Sequence, residues 1–161
     1  MVDPNDYKKT IGAFATGVTV VLTGELGNEY AMTANAITSL SLDPVLLLVC
    51  VGKEANMIEH IQMHNDFSVN ILREDQEDYS IYFAGLWPED APQPKFSFEA
   101  RDGVPILNNC LAQLVCEVYQ VYDGGDHYIV IGEVRDVTLP EEEVTPLIYY
   151  RGTYYHQLES D

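Results

Sequence analysis

The chain is organised around one stretch, YAMTANAITSLSLDPVLLLVCV, which spans Tyr30–Val51. Its second half, Val45–Val51, is an unbroken apolar run and predicts a fully buried β-strand. Asp43-Pro44 separates this run from a first half in which nearly every side chain is small or carries a hydroxyl group. Those residues are Ala31, Thr33, Ala34, Asn35, Ala36, Thr38, Ser39 and Ser41.

The small side chains of the first half are unusual for a strand. A core strand usually carries bulky β-branched and aromatic residues, because these fill the pleated surface. We therefore predict that Thr33–Ser41 leaves backbone N–H and C=O groups and short hydroxyls open to a flat ligand with polar edges. The alternative is an Ala/Ser strand or turn packed tightly beneath a neighbouring element.

The composition is that of an ordinary globular protein, with 47% hydrophobic and 21% charged residues in a chain of 161. This length suits one domain, spanning residues 1–161, around a single core. No apolar run approaches the length of a membrane span, and the first residues, MVDPNDYKK, lack the apolar segment of a signal peptide. We therefore expect a cytoplasmic protein.

The three cysteines are Cys50, Cys110 and Cys116. They form no C-x-x-C pair, and each lies in an apolar, strand-like context. This set predicts reduced, buried thiols in a reducing compartment, rather than a disulfide framework or a zinc site.

The charge is strongly negative, with 8 basic against 26 acidic residues and a net charge of −18. Such a surface repels phosphate backbones, so nucleic acid is excluded as the expected partner. An anionic ligand would need a local reversal of this field. The candidates for that reversal are the helix N-termini together with Lys53, Arg73, Arg101 and Arg151.

Helical patterns occur at three places in the chain. Tyr7, Ile11 and Phe14 fall on one face of the first helix, and Asn56 with Glu59 forms a capping-box-like start to the second. The predicted helices run from Asp3-Pro4 to near Thr16-Gly17, over residues 56–65, and over Gln76–Ala84.

Strand patterns dominate the rest of the sequence. The predicted strands, besides those of the central stretch, are Val18–Thr23, Phe67–Leu72, Ser97–Arg101, about Cys110–Tyr122, Tyr128–Thr138, and a final segment Leu147–His156 that completes the sheet. Leu86–Lys95, with Trp87 and three prolines, and Pro140–Glu143 are expected to be loops. Many strands at antiparallel spacing with a few short helices predict a mainly β protein, a β-barrel with short helices.

Three features of the sequence point to one ligand site. The open strand Thr33–Ser41 is followed by a helix N-terminus near Lys53–Asn56, and His127 lies at the mouth of a later hairpin. A planar heterocycle with a phosphate tail would satisfy all three, because its ring edge could bond the backbone while its phosphate lies near the helix end and Lys53. Equally, Lys53 is consistent with an ordinary surface charge and His127 with a polar residue that opens a strand.

Other catalytic patterns are missing from the sequence. His60 and His64 have the i, i+4 spacing of a metal pair, but no H-E-x-x-H motif or third ligand accompanies them, so we interpret them as a solvated face. No G-x-S-x-G, G-x-G-x-x-G or Walker motif occurs. Cys50 has no neighbouring base in the sequence that would activate its thiol.

The chain also resembles a known family over nearly its whole length. The motifs that carry the resemblance, in order, are FATGVTVV at Phe14–Val21, MTANAITSLSLDP at Met32–Pro44, FSVNIL at Phe67–Leu72, GDH at Gly125–His127 and PLIYYRGTY at Pro146–Tyr154. In this succession the chain is similar to the flavin reductase-like, FMN-binding split-barrel family.

The resemblance implies a homodimeric split β-barrel of antiparallel Greek-key type. Members of the family bind FMN or FAD, reduce it with NADH or NADPH, and commonly supply reduced flavin to a separate monooxygenase. It therefore implies a flavoprotein oxidoreductase whose ligands are a flavin and a nicotinamide nucleotide, with neither nucleic acid nor membrane as a partner.

The resemblance also implies roles for individual residues. Thr33, Ala34 and Asn35 would lie along the flavin ring, and Met32 would also belong to the flavin site. Ser39 and Ser41 would contact its ribityl or phosphate region, Cys50, Val51 and Lys53 would lead to its phosphate, and Asn56 would add a phosphate contact. His127 would contact and orient the nicotinamide nucleotide, with Tyr150 near the same pocket. This chain departs from the family at Ala55 and Met57, where relatives often carry Ser and Thr, so two hydroxyl contacts to phosphate are absent.

Two other functions remain open at this point. One is a non-catalytic flavin-binding module that accepts electrons from a protein partner. The other is a structural split-barrel protein whose flavin site is degenerate. His127 in GDH favours catalysis, whereas Ala55 and Met57 favour the other two hypotheses.

Overall fold

The computed structural model describes residues 1–139 and 143–156. Within them the fold is mainly β, with three short helices, α1 (Pro4–Ile11), α2 (Met57–His64) and α3 (Glu77–Phe83). The strands are β1 (Thr16–Gly17), β2 (Thr19–Glu25), β3 (Asn28–Ala34), β4 (Ile37–Leu42), β5 (Val45–Gly52), β6 (Asp66–Ile71), β7 (Phe98–Arg101), β8 (Val104–Leu107), β9 (Ala112–Asp123), β10 (His127–Thr138), β11 (Ile148–Tyr150) and β12 (Thr153–Tyr155).

One sheet of seven antiparallel strands forms the body of the protein, in the order β3-β2-β6-β9-β10-β5-β4. Its two edge strands, β3 and β4, are consecutive in the chain and are joined only by Asn35 and Ala36. The sheet must therefore curl until its edges approach each other. Within the described residues no ladder of hydrogen bonds pairs β3 with β4, so hydrogen bonds do not close the curled sheet.

The main core fills the inside of this curl. Phe67 and Ile61 are fully buried there, and α2 packs across the opening with Met57 and Ile58. The side chain of Asn70 is also fully buried, and it donates to the carbonyl oxygen of Val20 at 3.0 Å. Because its oxygen accepts the backbone N–H of Leu107 at 2.9 Å, this polar group is satisfied.

A second core lies on the other face of the sheet. It brings together Val18, Val20, Leu22, Leu72, Leu107 and Leu147, with aromatic rings from α3 and the loop after it packed against them. The hairpin of β7 and β8 and the small sheet β1-β11-β12 are attached through this core.

The second and third predicted helices and most predicted strands are confirmed within a few residues. Asp3 caps α1 as expected and accepts from the backbone N–H of Asn5 at 2.8 Å. The prediction that this helix continues to Thr16-Gly17 is wrong. It ends at Ile11, and Thr16-Gly17 instead form β1, which pairs with β11. No residue of α1 is buried, and Phe14 beyond it is 73% exposed.

Three other local predictions need correction. Asn56 has helical backbone angles and makes no capping hydrogen bond, so α2 begins without a capping box. Leu147–His156 does not complete the large sheet, because β11 and β12 pair with β1 in a separate three-stranded sheet. Val45–Val51 is not buried throughout: Val45 is exposed, and Leu48 and Cys50 are half-buried.

The region expected to be a solvated loop at Pro140–Glu143 lies largely outside the described residues. In the described ranges, no helix is both long enough and apolar enough to cross a bilayer.

Candidate functional site

A cavity of about 1050 Å³ lies between α1, the strands β4 and β5, and the turn from β11 to β12. The wall on the β4–β5 side consists of Asn35, Ala36, Ile37, Thr38, Leu48 and Cys50. The α1 side contributes Lys8, Lys9, Ile11, Gly12 and Phe14, and the small sheet adds Thr16, Tyr149, Arg151 and Gly152.

The alternation of β5 explains why Leu48 and Cys50 reach this cavity. Side chains on a strand alternate between its two faces, and those of Val49 and Val51 enter the core. Cys50 and Leu48 therefore point to the opposite face, where they are half-buried. In the register with β10, Gly52 lies opposite His127, so His127 stands on this same face one alternation beyond Cys50.

The α1 wall is attached through the turn of the small sheet. The backbone N–H of Arg151 donates to the carbonyl oxygen of Gly12 at 2.9 Å, just past the end of α1. The side-chain amide of Asn35 donates to the hydroxyl of Thr16 at 3.3 Å, which links the two sides of the cavity. Arg151 adopts a positive φ of 50° and Gly152 one of 80°, so the chain reverses tightly at this contact.

The stretch expected to be open is divided by the structure. Asn35, Ala36 and Thr38 are exposed and line the cavity, as a backbone-presenting segment should. Thr33 and Ala34 lie outside the lining: the hydroxyl of Thr33 donates to the carbonyl oxygen of Ser80 at 2.6 Å, and Ala34 is 7% exposed. Thr33 and Ala34 therefore pack against neighbouring elements, and only part of the stretch faces the cavity.

The remaining residues expected on the flavin also lie outside the lining. Met32 packs against the main core, as does Val51, which is fully buried. Ser39 is exposed beside a register irregularity of β4, and the hydroxyl of Ser41 accepts the backbone N–H of Asp43 at 3.2 Å. Asn56 is exposed at the start of α2.

Lys53 follows β5 and is already engaged by another side chain. Its ammonium group forms an ion pair with Asp123 and lies 5.1 Å from the centre of the Tyr128 ring. The hydrogen bond to Asp123 raises the pKa of Lys53, and the same bond lowers the pKa of Asp123. A phosphate at this position would therefore compete with a carboxylate for the lysine.

His127 is held by its sequence neighbour. Its Nδ1 lies 2.7 Å from a carboxylate oxygen of Asp126, and because a carboxylate only accepts, Nδ1 carries the proton. This hydrogen bond lowers the pKa of Asp126. The backbone N–H of Lys53 also donates to the carbonyl oxygen of Asp126 at 3.0 Å, so the hairpin mouth and the end of β5 are tied together.

Most of the basic residues proposed to reverse the field are neutralised by nearby carboxylates. Arg73 donates twice to Asp75 at 3.1 Å, and Arg101 pairs with Glu99 at 3.5 Å. Of the predicted candidates, only Arg151 lines the cavity. The sequence reasoning missed Lys8 and Lys9, because both lie in the last turn of α1 only once the helix ends at Ile11, well before its predicted end.

The aromatic side chains near Arg151 are divided between the two faces of β11. Tyr149 lines the cavity, whereas Tyr150, the residue expected near the nicotinamide, lies beneath the guanidinium of Arg151 at 5.1 Å. Tyr150 therefore does not line the cavity itself, but its ring contacts Arg151, which does.

The two helical histidines do not form a solvated face. His60 is half-buried and stacks on Tyr30, with the ring centres 3.2 Å apart, and His64 is half-buried as well. Across residues 1–139 and 143–156, no group of three or more His, Cys, Asp or Glu side chains is arranged to hold a metal ion.

Comparison with known proteins defines the class of this chain. The family model "Flavin reductase like domain" matches residues 11–157, so the chain belongs to the flavin reductase-like family. The resemblance noted in the sequence is thereby confirmed.

Individual relatives match over most of their own length. An NADH-dependent flavin reductase of Rhodococcus sp is 38% identical over 95% of this chain and 86% of that protein. The reductase component of 4-hydroxyphenylacetate 3-monooxygenase of Thermus thermophilus is 38% identical over 92% of this chain and 93% of that protein. The solved structure of the flavin reductase PheA2 in its native state superposes with a TM-score of 0.90, at 39% identity, covering 98% of this chain and 100% of that one.

The position of Cys50 in the cavity wall leads to a prediction about thiol reactivity. Burial raises the pKa of Cys110 and of Cys116 to about 12, so little reactive thiolate forms on either residue near neutral pH. Iodoacetamide labelling of the native protein, followed by peptide mass spectrometry, should therefore modify Cys50 first. Cys50→Ala is the control and should remove the fast phase. Labelling of Cys116 as fast as Cys50 would contradict this placement.

Proposed function

We propose that this protein binds FMN or FAD together with NADH or NADPH in and beside the cavity, and that it reduces the flavin with the nicotinamide nucleotide. The observation that carries the proposal is the cavity wall itself. In a chain of net charge −18, this wall combines the small, exposed residues Asn35 and Ala36 with the basic side chains of Lys8, Lys9 and Arg151. A flat ring with an anionic tail requires this combination.

The lining suits both parts of such a ligand. Leu48, Ile37 and Tyr149 offer apolar surface for the faces of a ring, and Asn35 and Thr38 offer polar groups for its edge. A volume of about 1050 Å³ is at the upper end of the range for ligand sites, so it has room for more than one ring system. The residues present therefore fit a flavin.

The reaction makes modest chemical demands on the protein. When bound, nicotinamide and flavin supply the hydride chemistry themselves. The task of the chain is to hold and orient its two ligands and to exclude water, and such positioning can lower an activation barrier by roughly 7–11 kcal/mol. Among the lining residues that the structure describes there is no nucleophile–base pair, which is consistent with this task.

His127 is the residue that we assign to the nicotinamide nucleotide. Because Asp126 accepts from Nδ1, the other ring nitrogen of the neutral imidazole, Nε2, is an acceptor on the face that His127 shares with Cys50. An acceptor there would bind an amide N–H of the nicotinamide. Tyr150 would support the same ligand by holding the guanidinium of Arg151.

The alternative function is a flavin-binding module that accepts electrons from a protein instead of a nucleotide. It is favoured by the region where relatives often carry phosphate-binding hydroxyls. Met57 is 4% exposed and belongs to the core, Ala55 packs against that core, and Lys53 is paired with Asp123. Weakened phosphate contacts at this point would suit a protein that does not turn over free flavin.

A monooxygenase that consumes reduced flavin is the partner we propose. The relative in Thermus thermophilus is named as the reductase component of such a system. We also propose that the chain forms one domain and that it acts in the cytoplasm. Its three cysteines are free thiols, which suits a reducing compartment, and fractionation of cells that express the protein tests the location.

A homodimer with a Greek-key split barrel in each subunit completes the proposal. β4 is an edge strand of the large sheet, and an uncovered edge favours association. Apolar side chains are exposed beside this edge at Leu40, Leu42 and Val45, with Leu42 88% exposed. Burial of these side chains by a second copy would remove them from water.

Anaerobic titration with NADH and NADPH tests the catalytic function directly. The expected result is loss of the oxidised-flavin absorbance band in a mixture of the protein with FMN or FAD, much faster than without the protein. A band that stays oxidised, although flavin binds, would leave only the electron-transfer alternative. Absence of binding to either flavin would remove both functions.

Replacement of His127 tests its assigned role. We expect His127→Ala to raise KM for the nicotinamide nucleotide about five- to tenfold, the cost of one lost hydrogen bond, with little change in flavin affinity. His64→Ala, on α2 and outside the cavity lining, is the matched control. Equal effects on both ligands would contradict the assignment.

Replacement of Leu42 tests the dimer. Light scattering during gel filtration should give twice the mass of the chain for the wild type and a shift toward monomer for Leu42→Asp, because a charge would be buried in the interface. Leu86→Asp is the control, since Leu86 is 74% exposed in the loop after α3. A monomeric wild type would refute the dimer.

A further inference from the structure

The basic residues of this chain are distributed unevenly between ion pairs and the cavity. Of its eight Lys and Arg residues, four form ion pairs with carboxylates in the described part: Lys53, Arg73, Arg101 and Arg135. Three of the other four line the cavity, namely Lys8, Lys9 and Arg151. None of these three lies in an ion pair formed within residues 1–139 and 143–156.

The acidic residues show the opposite distribution. The chain carries 26 Asp and Glu residues, yet none of them lines the cavity in the part of the chain that the structure describes. The polar side chains of Thr16, Asn35 and Thr38, which share the lining with the cations, are neutral. A site with three cations and no lining carboxylate attracts anions, even on a surface of net charge −18.

We propose that Lys8, Lys9 and Arg151 form the subsite that binds the phosphoryl groups of the nucleotide ligand. This inference rests on the proposed function and deepens it, because it assigns phosphate recognition to α1 and the β11–β12 turn. The region after β5, where Lys53 lies, then contributes less to phosphate binding than the resemblance implied.

The backbone geometry explains how the three cations meet. Lys8 and Lys9 occupy the last turn of α1, and the helix ends where the carbonyl oxygen of Gly12 accepts the backbone N–H of Arg151. The tight reversal at Arg151 and Gly152 thus brings Arg151 into the cavity lining that the two lysines share. A guanidinium binds phosphate oxygens in pairs, whereas lysines act as point charges around them.

A simpler explanation covers only part of this arrangement. Lysines in the last turn of a helix offset the negative end of its dipole, and this alone could account for Lys8 and Lys9. It does not account for Arg151, which lies in the β11–β12 turn, or for the exclusion of carboxylates from the lining that the structure describes. Recognition of an anion accounts for all three observations.

Charge-neutralising variants test the subsite. The charge-neutralising variants are the double variant Lys8→Gln/Lys9→Gln and the single variant Arg151→Gln. Arg151→Lys is the conservative comparison, because it retains the charge. Lys95→Gln is the matched control, because Lys95 is exposed, lies outside the cavity lining and forms no ion pair within the described ranges. Since α1 buries no side chain, the double variant should keep the wild-type circular dichroism spectrum and carries the test even if Arg151→Gln fails to fold.

Binding is measured for riboflavin, FMN and FAD by fluorescence quenching, and KM and kcat are measured for the nicotinamide nucleotide. We expect each charge-neutralising variant to weaken binding of the phosphorylated ligand roughly tenfold, with riboflavin binding unchanged and a smaller dependence of affinity on salt. Arg151→Lys should lose less affinity than Arg151→Gln, because it keeps the charge. A loss confined to FMN and FAD identifies the flavin phosphate as the bound group. A loss confined to the nicotinamide nucleotide identifies its pyrophosphate.

Two results would overturn the subsite while leaving the proposed function intact. In the first, the variants bind and reduce every ligand as Lys95→Gln does. In the second, riboflavin binding falls as much as FMN binding, which would indicate a general disturbance of the cavity. Calorimetry with inorganic pyrophosphate provides a measure independent of flavin: heat of binding that disappears in the double variant supports the subsite even if flavin reduction is absent, and no heat in the wild type argues against it.

Discussion

The register of β5 between β10 and β4 is the constraint on which the site depends. It directs Val49 and Val51 into the core and Leu48 and Cys50 into the cavity wall. A slip of one residue would exchange the two sets, because the side-chain period of a strand is two. The hydrophobic burial that stabilises the fold thus also fixes the face on which Cys50 and His127 stand, so the fold and the proposed ligand site depend on the same strand pairing.

The distribution of charged side chains also depends on tertiary structure. A chain with 26 acidic residues has many carboxylates that could neutralise its few cations, and Lys53 and Arg101 are paired in this way. The exceptions are concentrated at the cavity, where α1 and the β11–β12 turn bring basic groups from distant parts of the sequence together. Positive potential there comes from tertiary structure, since neither segment alone holds all three cations.

The sequence predicted the parts of the fold that local patterns determine. The apolar run at Val45–Val51 and the helix over 56–65 have clear periodicities, and both elements form close to the expected positions. The end of α1 could not be predicted in this way, because the partner of Thr16-Gly17 is β11, more than a hundred residues later. For the same reason the sequence did not single out Lys8 and Lys9, which line the cavity, although it did single out Asn35 and Cys50, which also line it.

The two-residue connection between β3 and β4 limits how far the sheet side of the cavity can open. Three Cα–Cα steps join Ala34 to Ile37, a reach of about 10–11 Å at most, so these strand ends cannot move far apart without breaking β-sheet hydrogen bonds. The wall on the α1 side is different, because α1 buries no side chain. The backbone hydrogen bond from Arg151 to Gly12 is the contact that would have to break for the end of α1 to move away. Segments with so little buried surface open at the lowest free-energy cost. The helical wall is therefore the side of the cavity that opens at the lower free-energy cost.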